Sequence, residues 1–470
     1  MNIANFFASI GLVISMLWSG ISTFALKTDF SKDAWYLKPP PPDAAEQLAI
    51  LPAERQIMHA EMEFYAFFHF GINTFTDSEL GTGREDPAIF NPTKLDTDQW
   101  IKGVADAGMK GAIITAKHHD GFCLWPTEYS EFSVKNSPYQ GDVVAEFAES
   151  CRKYGVKFGF YLSPFDMNAP SFGQGVAYND YFVSQLGELL SNYGDVFEVW
   201  FDNYITEEYK GRQDYDWDRW VAIIRELQPN AVIAVGPPNP DVAWVGNESG
   251  LANGNVSSVR MRAGNMIWAK SECDVSIRDG WFYHENQQPK TLAQLMHIYY
   301  NSVGMNCALL LNIPPNKDGL VNEKDIKQLV KMKNAIEDIY ARPVTPATVT
   351  IADKDGNVND SNAVKAIAAD NAESYAFSDT EYIVDFKLDS AARLKHIVLS
   401  EDSNRCSERI QRFSVYAKMG FLYVRVGTAE SAGNKTIVKL SALTPCTDSY
   451  RIVVEQSKAA PVLRYVGLYR

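Results

Sequence analysis

The chain is 470 residues long, enough for one large domain and a smaller one. Its formal net charge of -14, with no basic run to offset it, argues against nucleic acid or an anionic membrane surface as a partner. The composition is ordinary globular with a high aromatic share, which suits sugar-stacking surfaces.

The first segment stands apart from the fold. Phe6 to Phe24 is an apolar stretch, and Thr23-Phe-Ala25 supplies a small-residue cleavage site. Residues 1–25 therefore read as a secretory signal peptide, which predicts a periplasmic or secreted protein with no stable membrane insertion after cleavage. No Lys or Arg precedes the apolar core, so an uncleaved membrane anchor is the alternative.

Residues 26–343 alternate strand and helix. Strand-like runs are expected at Phe64–Phe70, Gly111–Lys117, Lys157–Leu162, Val196–Phe201, Ala231–Val235, Val275–Ile277 and Cys307–Ile313. Amphipathic helices are expected at Thr97–Ala107, Val143–Tyr154, Tyr181–Tyr193, Trp217–Leu227, Leu292–Val303 and Lys324–Tyr340. This alternation predicts a parallel sheet, best met by an α/β fold of the (β/α)8 TIM-like barrel type, with one strand unplaced between Pro238 and Trp268. After Pro343 the character changes. Short strand-like runs separated by Gly, Asn, Ser and Asp predict an all-β, antiparallel β-sandwich over residues 344–470. The six cysteines are dispersed without a C-x-x-C pair, so no zinc site is indicated; pairing of Cys406 with Cys446 and free thiols both stay open.

Four strand ends carry polar clusters: Phe68-His69, Lys117-His-His-Asp120, Tyr161-Leu-Ser-Pro-Phe-Asp166 and Trp200-Phe-Asp202. In a barrel all four ends meet on one face, where such folds place their chemistry. Asp202 arrives where a buried strand surfaces, and that position favours a reacting carboxylate over a turn residue once the other ends are counted. His118, His119 and Asp120 are candidate metal ligands by type. Neighbours on an extended strand point to opposite sides, however, so the two imidazoles are expected to bind hydroxyl groups rather than share one ion. Further acids stand at Glu248, in Trp-Val-Gly-Asn-Glu, and at Glu272, in Ser-Glu-Cys-Asp. Alone, each reads as a solvated loop carboxylate. Paired with Asp202 across a barrel mouth, either has the makings of a general acid.

Together Phe-His-Phe-Gly-Ile-Asn73, Lys-His-His-Asp-Gly-Phe122, Val-Trp-Phe-Asp202 and Leu-Leu-Asn-Ile-Pro-Pro315 resemble the α-L-fucosidases of glycoside hydrolase family 29. Trp-Val-Gly-Asn-Glu248, Glu-Cys-Asp-Val-Ser-Ile-Arg278 and Gly-Trp-Phe-Tyr-His284 resemble the subgroup that prefers α-1,3/1,4-linked fucose on branched glycans. The resemblance implies an exo-acting retaining hydrolase that needs no metal or organic cofactor and takes a fucosylated glycan as substrate. It implies Asp202 as nucleophile, Glu248 as acid/base with Glu272 in reserve, and His69, Glu79, His118, His119, Tyr161, Trp200 and Trp281 around the sugar. It further implies that the Asp202 charge keeps Glu248 protonated for leaving-group departure.

Three positions depart from the subgroup pattern: Leu80 and Asn203 where Trp and Gly are usual, and Phe165-Asp-Met167 where Trp-Asp-Arg is usual. All three are expected beside the pocket. They motivate two competing readings: a non-catalytic glycan-binding protein on a degenerate hydrolase scaffold, and a related α-glycosidase with another sugar specificity, such as galactose. Oligomeric state is not legible in the sequence.

Overall fold

The computed structural model describes residues 43–470 apart from 255, 354, 361–373 and 379–380. The signal-peptide reading of residues 1–25 lies outside the described residues. Among those described, no helix is long and apolar enough to cross a membrane. The described chain forms two compact units, residues 49–338 and residues 43–48 with 339–470.

The first unit is a closed barrel of eight parallel strands. These are β1 (Phe64–Phe68), β2 (Gly111–Lys117), β3 (Lys157–Leu162), β4 (Val196–Trp200), β5 (Val232–Ala234), β6 (Val242–Trp244), β9 (Lys270–Ser276) and β10 (Ala308–Asn312). They close in the order β1-β10-β9-β6-β5-β4-β3-β2. The strand missing from the sequence reading is β6, only three residues long. A hairpin of β7 (Val259–Arg262) and β8 (Asn265–Trp268) is inserted before β9. The strand expected at Val275–Ile277 instead spans Lys270–Ser276, so Glu272 belongs to a buried strand and not to a loop.

Helices α1 (Glu54–Ala60), α2 (Thr97–Asp106), α3 (Val143–Tyr154), α4 (Val176–Asn192), α5 (Trp217–Leu227), α6 (Leu292–Tyr300) and α7 (Glu323–Tyr340) accompany the strands. Their starts are written in the sequence. Asp96, Asp142 and Asp216 each accept a hydrogen bond from the third backbone N–H of the helix that follows, at 3.0, 2.8 and 3.2 Å. Thr291 and Gln294 form a reciprocal capping box on α6. At the far end of α3, Gly155 takes the left-handed conformation that closes a helix (φ 68°).

Alternation along each strand sends every second residue into the barrel. Tyr65, Phe67, Ile113, Tyr161, Trp200, Val232, Ala234, Val242, Ala308 and Leu310 fill its interior. On β4 the inward positions are Glu198 and Trp200, with Asp202 next in the same alternation. On β9 they are Lys270, Glu272, Asp274 and Ser276, while Cys273 packs outward with Val245, Ala252, Val256 and Cys307.

The second unit has two antiparallel sheets. The six-stranded one contains β11 (Thr348–Asp353), β12 (Val358–Asp360), β14 (Glu381–Ala392), β16 (Ile410–Met419), β17 (Leu422–Ala429) and β19 (Thr447–Ser457). The four-stranded one contains β13 (Tyr375–Ala376), β15 (His396–Glu401), β18 (Thr436–Lys439) and β20 (Val462–Tyr469). Alternate residues of both sheets, among them Phe386, Ile397, Val415, Ile452 and Leu468, meet in one core, which makes the unit a sandwich. All six cysteines are free thiols, Cys406 and Cys446 included.

Candidate active site

A cavity of about 680 Å3 opens at the carboxyl ends of the barrel strands. β1 brings His69 to it. Both the backbone N–H and Nδ1 of His69 meet Asn312 Oδ1, at 3.1 and 2.9 Å. Asn312 is itself fixed by donating to Ser276 Oγ and to the Trp281 carbonyl. With Nδ1–H so engaged, neutral His69 offers Nε2 as an acceptor. Burial holds it neutral and pushes its pKa down to about 3.

β2 ends at Lys117, and the chain turns at once. That turn places His118 and His119 in the same cavity, with ring centroids 4.2 Å apart, contrary to the expectation of opposite sides. Extended alternation stops where the strand stops. His119 Nδ1 donates to Ser163 Oγ at 2.7 Å, because that hydroxyl is spent on the Phe165 carbonyl. Its Nε2 then faces Asp202 Oδ2 across 3.7 Å. Burial lowers the pKa of both imidazoles, for His118 well below the ordinary value. His118 Nδ1 is buried with no hydrogen-bond partner. Asp120 does not join them. It accepts from Asn73 and from the Phe122 backbone, at 2.9 and 2.7 Å.

β3 and β4 set the cavity floor. Tyr161 stacks on Trp200, ring centroids 5.5 Å apart and 22° from parallel. The Tyr161 hydroxyl donates to Asp202 Oδ2 at 3.0 Å, and the Tyr204 backbone N–H donates to Oδ1 at 2.8 Å. Each oxygen of Asp202 is thus held by a named donor, and the carboxylate is half-buried. Asp166, at the end of β3, turns away into a buried ion pair with Lys117 at 2.8 Å.

Loops after β6 and β9 build the opposite wall. Glu248 is exposed at the cavity and accepts from Trp281 Nε1 at 3.2 Å. Glu79 Oε2 accepts from the backbone N–H groups of Trp281 and Phe282 at 3.0 and 3.4 Å. Its Oε1 pairs with His284 Nε2 at 2.6 Å, and His284 Nδ1 pairs with Asp77, also at 2.6 Å. Gly280 permits this approach: a Cβ there would sit 2.3 Å from Glu79 Oε1. Trp244 Nε1 donates to the buried Asp274 at 2.7 Å. Burial holds that carboxyl well above the usual range, and the charges of Glu272 and Glu248 push the same way.

Residues 33–337 match the family model described as alpha-L-fucosidase. The chain belongs to the α-L-fucosidases of glycoside hydrolase family 29. Alpha-L-fucosidase 1 of Arabidopsis thaliana is 36% identical over 89% of this chain and 87% of its own. A putative alpha-L-fucosidase of Bacteroides ovatus, solved by crystallography, is 35% identical over 91% of this chain and 75% of its own, with a TM-score of 0.79. A GH29 fucosidase of Ruminococcus gnavus solved in complex with fucose is 25% identical over 94% of this chain and 98% of its own, with a TM-score of 0.80.

Seen against the fucosidase reading of the sequence, the cavity gathers Asp202, Glu248, His69, Glu79, His118, His119, Tyr161, Trp200 and Trp281. It does not gather Glu272, which lies fully buried beneath the floor and accepts from Trp200 Nε1 at 2.8 Å. Of the three departures, Leu80 and Asn203 line the cavity. Met167 is not among the lining residues; its backbone N–H is spent on the His119 carbonyl. Lining residues with no role assigned from the sequence include Phe67, Tyr204, Trp244, Asp274 and His284. Asp274 stands two residues past Glu272 on β9, so both share a face, but the polar run there reads as loop in the sequence. Tyr204 sits on a loop with no periodicity to flag it.

Proposed function

We propose that this chain is a retaining, exo-acting α-L-fucosidase with Asp202 as nucleophile and Glu248 as acid/base. The observation that carries the reading is the contrast between the two acids. Asp202 is gripped at both oxygens on the floor, while Glu248 stands exposed on the wall, where a leaving group must depart. Asp202 attacks the anomeric carbon as the bond to the glycosidic oxygen breaks, and Glu248 gives that oxygen its proton. Glu248, now a carboxylate, takes a proton from water. The water oxygen displaces Asp202 from the anomeric carbon and frees the sugar. His69 and His119 present imidazole acceptors to ring hydroxyls, and Trp281 and Phe67 supply apolar surface for the remainder of the sugar. Preference for α-1,3/1,4-linked fucose on branched glycans is part of the proposal. Trp281, which donates to Glu248, and Trp244 and Tyr204, which line the same cavity, support it, being suited to stacking a second sugar.

The test compares an aryl α-L-fucoside, 2'-fucosyllactose and Lewis a/x trisaccharides. Selective release of fucose from the Lewis compounds is expected. Equal release from 2'-fucosyllactose removes the linkage preference. Absence of release from every substrate removes the hydrolase reading. A Glu248→Ala enzyme should keep more of its activity on aryl substrates, whose leaving groups need no proton.

A further inference from the structure

Beneath the cavity floor the barrel interior is polar. His59 from α1, Tyr65 from β1, Glu198 from β4 and Glu272 from β9 touch one another, each at most 3% exposed. His59 Nε2 lies 2.8 Å from the Tyr65 hydroxyl and 3.1 Å from Glu198 Oε2. The Tyr65 hydroxyl donates to Glu272 Oε2, and Trp200 Nε1 donates to Glu272 Oε1. We propose that Glu198 and Glu272 hold one proton between them and act as positioning residues, fixing Trp200 and, through it, the Tyr161 hydroxyl that grips Asp202.

Donors and charges lead to this assignment. Glu272 receives two donors of its own. Glu198 meets His59, Tyr65 and Glu272, but its Oε1 is buried with no hydrogen-bond partner. A charged carboxylate in that state is costly, so the proton belongs chiefly on Glu198. Other titratable groups near the cluster are Lys270, Asp241 and Asp274, the last a carboxyl that burial holds well above the usual range. Lys270 is buried two residues before Glu272 on the same face of β9. Asp241 is neutralised by Arg55 and Arg225. Lys270 therefore balances one carboxylate, and a second would leave the sealed interior net negative. Burial pushes both glutamate carboxyls up to about 8, while it pushes His59 down to about 4 and keeps the imidazole neutral.

The carboxylates and His59 also satisfy the spacing of a metal site, their ligand atoms lying within 4.8 Å of one another. A bound ion would replace the proton and contradict the proposal, so the experiment must separate the two. The inference rests on the fucosidase reading for its effect on turnover, but part of its readout needs no substrate.

That part is tryptophan fluorescence followed from pH 6 to 9.5 on the intact protein, with Trp200→Phe as the subtraction. A transition with a midpoint near 8 is expected, absent from Glu198→Gln. In turnover of an aryl α-L-fucoside at pH 6, Glu272→Leu is expected to lower kcat by about tenfold to a hundredfold with a smaller change in KM, the scale of a displaced reacting group. Glu272→Gln, which still accepts from Trp200, should recover most of the loss. Should Glu272→Leu fail to fold, Glu198→Gln and Glu272→Gln carry the test. Fluorescence and kcat profiles superimposable on the parent in both Gln variants overturn the proposal. So does one equivalent of tightly held divalent metal in the purified protein, removed by chelator together with the transition. If the parent cleaves no fucoside yet shows the transition, the fucosidase reading fails while the shared proton stands.

Discussion

Strands β4 and β9 are separated by β5 and β6 in the same barrel and are built on opposite principles. β4 reads Val-Phe-Glu-Val-Trp, apolar except for one acid, and delivers Asp202 just past its end. β9 reads Lys-Ser-Glu-Cys-Asp-Val-Ser, mostly polar, yet every residue is buried. The polar groups of β9 are affordable because partners wait for them: Trp200 for Glu272, Trp244 for Asp274, Asn312 for Ser276. One strand thus presents the proposed nucleophile, and the other holds aromatic side chains of the floor and wall around it. Substitutions at the end of β4 should act on the chemical step directly, and those on β9 through the aromatic side chains that β9 holds.

The largest expected effect is on the first side. Asp202→Ala should lower kcat on any fucoside by about four orders of magnitude, as loss of a covalent nucleophile does, while the thermal midpoint changes little. Retention of more than a tenth of kcat would break the contrast by removing the chemical role of that strand end. Second is Asp274→Ala, which strands the Trp244 N–H without its acceptor. Misplacing a group that binds the substrate costs up to about a hundredfold, so KM should rise on that scale, with kcat less affected; Asp274→Asn, still an acceptor, should rise far less. A kcat-only effect would mean that Asp274, like Glu272, acts on the floor that holds Asp202 and not on the sugar-binding wall. Third, Gly280→Ala should push Glu79 off its backbone donors and raise KM by about tenfold, the scale of misplacing a binding group.

The smallest effect is a pH dependence. Burial lowers the pKa of His284, but hydrogen bonds to Glu79 and Asp77 and their charges outweigh it, and the net shift is upward. A group raised in the folded state adds stability that is full below its unfolded value, about 6.5, and fades as pH climbs through the folded one. The thermal midpoint of the parent should therefore exceed that of His284→Gln at pH 6, and the gap should shrink toward pH 9. A gap that widens with pH would mean that the imidazole is held neutral.

The same two strands explain what was legible. β4 obeys the rule that buried strands are apolar, so its limits and its terminal acid could be read directly. β9 breaks that rule, and its first five residues read as loop; only tertiary partners make Lys270, Glu272 and Asp274 tolerable inside a barrel. β6 was missed for another reason: three residues are too few for any period to register. The helices were easier, since Asp96, Asp142 and Asp216 cap them and Trp100, Ile101 and Val104 mark a buried stripe. Asp202 and the imidazoles fell on strand ends, and strand ends can be found from apolar runs. The geometry of His118 and His119 depended on a turn after Lys117 that the extended pattern does not announce.

Glu198, Trp200 and Asp202 share one alternation. A one-residue register slip from Glu198 onward would turn all three out of the barrel at once. Lineage change at this site is therefore channelled: substitutions can retune one rung at a time, but length variation is confined to the segments beyond the strand, beginning at Asn203. New specificities in such enzymes should arise by loop remodelling around a fixed three-rung ladder.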